Sequence, residues 1–121
     1  AGICLFGLLV GEYPLFEWVN AAAGWNLSTQ DFQLIGERIL TLRHSFNVRE
    51  GVKPADTRLK NRAAGTPPLE KGPLANVTVD EEKLGRRYYQ KLDWDYETGL
   101  PSRERLEKLG LTEVAGQLYK T

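Results

Sequence analysis

At 121 residues, with 41% hydrophobic and 26% charged side chains, the sequence has the make-up of one globular domain, not of a disordered tail. Its formal net charge is zero and its acids and bases are interspersed, so no basic stripe points to nucleic acid and no cationic helix points to a membrane surface. A single cysteine rules out an internal disulfide and favours a reducing, cytoplasmic setting.

The apolar run from Ile3 to Val10 is far shorter than the roughly 20 residues that cross a bilayer, and it reads as a buried helix or a turn and helix ended by Gly11. Ala21-Ala22-Ala23 imitates a signal-peptide cleavage site. No basic segment precedes the run, however, and Glu12, Pro14, Glu17 and Asn20 interrupt it, which argues against secretion. The sequence has no methionine, even at position 1, so it reads as a processed product or a piece of something longer.

Pro14 suits a first helical turn; Leu15, Trp18, Val19 and Ala22 then share a face until Gly24 ends the helix. The strongest helix signal follows, from Leu27 to Gly51. Ser28 is its N-cap and Asp31 sits three residues on, at the positive end of the helix dipole. Phe32, Ile35, Ile39, Leu42 and Phe46 recur at spacings of three and four and draw one apolar seam that must bury against something. Leu34 and Leu40 fall off the seam, and Gln33, Glu37 and His44 share a narrow polar sector. A helix greasy on more than one side sits in a bundle or docks on a second body.

From Val52 to Pro73 prolines and glycines recur without a sustained period, giving a long surface loop that continues to Val79; Val77 and Val79 form a short strand or an extended link. Asp80 caps a helix aligning Leu84, Tyr88 and Leu92, and Asp93 to Gly99 turns sharply. Ser102 caps a helix carrying Leu106 and Leu109, closed by Gly110 and Leu111. Thr112 opens a last turn or two with Val114, Ala115 and Leu118 facing inward. The fold class is therefore all-α: one irregular multi-helix domain over residues 1–121 with a long central helix.

Little in the residues themselves points to a reaction. Cys4 in an apolar run reads as a small buried hydrophobe, and His44, with no second histidine at metal spacing, as a solvated side chain. The loop Asp93 to Gly99 places Asp93, Asp95 and Glu97 at alternate positions with Glu104 beyond. A calcium loop needs glycine where Thr98 stands, so it reads as a turn anchored by Trp94. Asn47 with Arg49 and Glu50 reads as a capping and ion-pair arrangement, since no nucleophile accompanies it.

A set of short motifs adds to this reading. Gly2-Ile3-Cys4-Leu5-Phe6, Asn20-Ala21-Ala22-Ala23-Gly24-Trp25, Ile35-Gly36-Glu37-Arg38-Ile39, Phe46-Asn47-Val48-Arg49-Glu50-Gly51, Tyr88-Tyr89 to Trp94-Asp95, and Leu100-Pro101-Ser102 to Leu109-Gly110-Leu111 occur in this order. In that order and spacing the sequence resembles the C-terminal helical region of the tungsten-containing aldehyde ferredoxin oxidoreductases. The resemblance implies that Cys4 is the fourth ligand of a 4Fe-4S cluster whose other cysteines lie upstream. It implies too that Leu5 meets, through its backbone, the bis-pterin that holds tungsten or molybdenum. A thiolate beside the pterin would give electrons a short path, and an apolar wall would limit water near the cluster.

The resemblance further implies that upstream domains of the same chain and ferredoxin are partners, with a homo-oligomer possible. The aspartate preceding the family's cysteine, the upstream cysteines and the acid and histidine credited with proton chemistry are not in this sequence. By that reading no residue here is catalytic, and the isolated piece carries no cofactor and no activity. The loop from Thr57 to Thr66 lacks a proline common in the family, so no function is carried onto it. A reading from another class is a non-catalytic helical interaction module in which Cys4 is core.

Overall fold

The structure is a computed structural model that describes residues 13–120. Its elements are helices α1 (Leu15–Ala23), α2 (Thr29–Arg49), α3 (Glu81–Lys91), α4 (Arg103–Lys108) and α5 (Thr112–Leu118), with a 3-10 turn at Pro54–Thr57. No sheet forms among the described residues, and the only bridges there are isolated ones, Leu69 with Ala75 and Trp94 with Pro101. The fold is all-α, as the periodicity required. No helix among the described residues is long and apolar enough to cross a membrane. The chain divides into two compact units, Ala1–Glu37 and Arg38–Thr121.

In the first unit, α1 ends where Gly24 takes a left-handed conformation at φ 68°. The link to α2 is held by one side chain. Asn20 donates from Nδ2 to the Leu27 carbonyl at 2.9 Å and accepts from the Leu27 N–H at 3.1 Å, pairing both backbone groups of a residue outside any helix. Phe16 of α1 and Phe32 of α2 stack at 4.6 Å between ring centroids. The N-cap is the expected one: Ser28 Oγ accepts from Asp31 N at 3.2 Å, and Asp31 Oδ2 accepts from Ser28 N at 2.8 Å. The Ser28 hydroxyl, which donates to Asp31 Oδ2 at 2.6 Å, and then the Ser28 N–H hold the Asp31 carboxyl below its ordinary range.

The second unit has its core around α4 and α5, where Leu106, Leu109, Leu111 and Ala115 are buried and Val114, Leu118 and Tyr119 pack on them. Ser102 caps α4 by accepting from Arg105 N at 3.0 Å. At its other end the Leu111 N–H reaches the Leu106 carbonyl at 2.8 Å and the Gly110 N–H reaches Glu107 at 2.9 Å. That pair of bonds is a Schellman closure, and it needs the positive φ of 70° that Gly110 supplies. Asp80 caps α3 through Lys83 N at 3.0 Å. Val77 and Val79 form no strand; they are an extended link, with Val79 N bonded to the Ala64 carbonyl at 2.9 Å.

The long helix departs from its pattern. In its second-unit portion the buried positions are Thr41 and Ser45, 0% and 2% exposed, while Ile39, Leu42 and Phe46 of the apolar seam are 54%, 46% and 55% exposed. The burial is inverted relative to hydrophobicity. Small side chains suit the inward side because they let the backbone come close, and the seam is left without cover from this unit.

Candidate functional site

The cofactor residues expected from the sequence, Cys4 and Leu5, lie outside the described residues. Among the described residues no group of His, Cys, Asp and Glu side chains could hold a metal ion. A sequence with one cysteine can give a cluster one thiolate, so a 4Fe-4S group held through Cys4 would take any further thiolate from outside these 121 residues.

Two features of the second unit do bring chemistry-bearing side chains together. One is built on the turn after α3. Asp95 Oδ1 accepts from Thr98 N at 2.7 Å and from Thr98 Oγ1 at 2.6 Å, which closes the turn and lowers the Asp95 carboxyl from its ordinary value, the hydroxyl bond contributing most. Asp95 is engaged in the turn, and so is its backbone, whose N–H donates to the Leu100 carbonyl at 2.9 Å. Trp94 is buried as expected. His44 is not the solvated side chain its helix position suggested. Its ring lies flat on Trp94 at 3.8 Å and 1° between planes, with Tyr89 edge-on at 5.7 Å. Its Nε2–H donates to the Gly99 carbonyl at 2.6 Å. Burial lowers the His44 pKa against a smaller opposing effect of the Gly99 bond. The imidazole is thus held neutral with one nitrogen committed to the backbone, a structural arrangement and not a free base.

The same aromatic group includes Tyr96, whose ring meets Tyr89 at 5.6 Å and carries the Arg86 guanidinium 4.4 Å above it. Arg86 also pairs with Glu82 at 2.9 Å and Glu97 at 3.3 Å. Burial, with the neighbouring Tyr88 and Tyr96, raises the Tyr89 pKa. No nucleophile joins this cluster.

The other feature is a groove of about 460 Å³ between α2 and α5, lined by Leu42, Phe46, Val114 and Leu118 together with Arg43 and Gln117. Arg49 also lines it; its guanidinium lies 4.9 Å from the Phe46 ring centroid and pairs with Glu50 at 2.9 Å, the ion pair expected from the sequence.

The family model described as aldehyde ferredoxin oxidoreductase, domains 2 & 3, matches residues 1–111. The chain belongs to this family. The tungsten-containing aldehyde ferredoxin oxidoreductase of Pyrococcus furiosus is 38% identical over 117 residues, which cover 93% of this chain and 19% of that protein. The protein of the same name from Thermococcus kodakarensis is 35% identical over 116 residues, with the same shares. A Pyrococcus furiosus protein named aliphatic sulfonate oxidoreductase, WOR-like subunit, is 28% identical over 127 residues, 99% of this chain and 20% of that protein. The chain therefore spans about a fifth of the length of the curated aldehyde ferredoxin oxidoreductases it matches. No solved structure gives a significant match.

Sequence reasoning missed the Asn20 clamp and the His44 stack as structural devices. Asn20 stood inside a motif recognised only as a string, and a lone polar residue carries no sign that both its amide atoms will be used. Trp94 and Gly99 are far from His44 in sequence, so nothing local could place them together.

Proposed function

We propose that this chain is a helical C-terminal domain of an aldehyde ferredoxin oxidoreductase-like enzyme, which oxidises an aldehyde to a carboxylic acid and passes the electrons to ferredoxin. The observation that carries the reading is the family match, which runs over residues 1–111 and so includes Cys4 and Leu5. In the parent enzyme a tungsten or molybdenum bis-pterin and a 4Fe-4S cluster would supply the redox chemistry. Cys4 would give the cluster one thiolate, and Leu5 would meet the pterin through its backbone. The described residues are assigned no reacting group. They hold shape: Asn20 fixes the link between α1 and α2, and the His44 stack holds the turn after α3 against α2. The setting is cytoplasmic, in keeping with a single cysteine used as a metal ligand and not in a disulfide.

The test is the iron and tungsten or molybdenum content of the complete gene product, purified without oxygen, beside its Cys4→Ser variant. Bound tungsten or molybdenum, with iron present in the parent and reduced in the variant, is the expected result. A metal-free parent, or iron that does not respond to the change at Cys4, overturns the cluster assignment and leaves a non-catalytic helical interaction module with Cys4 in its core.

A further inference from the structure

We draw no further inference here: the strongest candidate, the depression that Arg58, Lys60 and Arg62 line in the loop between α2 and α3, is lined as well by the carboxylates of Asp56 and Glu81, and nothing in the structure shows what meets its exposed cations.

Discussion

His44 lies flat on Trp94, 3.8 Å between ring centroids, and its Nε2 donates to the Gly99 carbonyl at 2.6 Å, so one side chain of α2 holds both the buried aromatic and the far end of the turn after α3. Stacked rings contribute about 0.5–1.5 kcal/mol beyond area burial, and an ordinary hydrogen bond contributes a similar amount. His44→Ala removes both and should cost about 1–3 kcal/mol of stability, read as a lower unfolding midpoint in urea. His44→Phe keeps a ring on Trp94 and should recover part of the loss. Equal loss in both variants would mean that the stack contributes nothing.

The same contact has a sign in pH. Burial sets the His44 pKa in the folded state below the unfolded value of about 6.5, so the unfolded chain binds the proton more readily. The stability tied to neutral His44 is present above the unfolded pKa and is lost as pH falls from there through the folded value. Melting temperature compared between wild type and His44→Phe should diverge at neutral pH and converge as the pH is lowered. A difference that grows on acidification would refute this sign.

Gly99 is buried at φ 79°, and an added Cβ would meet Val48 Cγ2 at 3.3 Å, His44 Nε2 at 3.4 Å and Pro54 Cδ at 3.4 Å. Gly99→Ala therefore brings both a disfavoured backbone conformation and crowding, with an expected cost of about 1–3 kcal/mol. Gly36 of α2, with open space around its Cβ position and no positive φ, is the control: Gly36→Ala should be neutral or stabilising. Thermal unfolding of the two variants separates the cases.

Thr41 is fully buried, and its hydroxyl finds no partner among the described residues. An unsatisfied buried hydroxyl costs stability that a methyl group of the same shape does not. Thr41→Val should therefore leave the unfolding midpoint unchanged or raise it by up to about 1 kcal/mol equivalent. A clear decrease would show that the hydroxyl is used in the intact protein.

Local chemistry in the sequence was sufficient for the elements. Ser28, Asp80 and Ser102 each cap the helix they precede, Gly24 and Gly110 each close one, and the inward set of Leu106, Leu109 and Ala115 follows from spacing alone. These outcomes depend on residues within a turn or so of one another, where propensity and hydrogen bonding act without regard to the rest of the chain. The ordered motifs likewise carried the family.

Tertiary structure alone decided which side of α2 faces inward and what His44 does. Periodicity shows that a helix has an apolar face but not which body covers it, and here the second unit packs on the Thr41 and Ser45 side and leaves Leu42 and Phe46 open. His44 was assigned by its position on a helical wheel, which carries no information about a tryptophan and a glycine carbonyl brought to it by a turn some 50 residues on. Burial is a property of the pair of surfaces that meet, and a sequence pattern records only one of them.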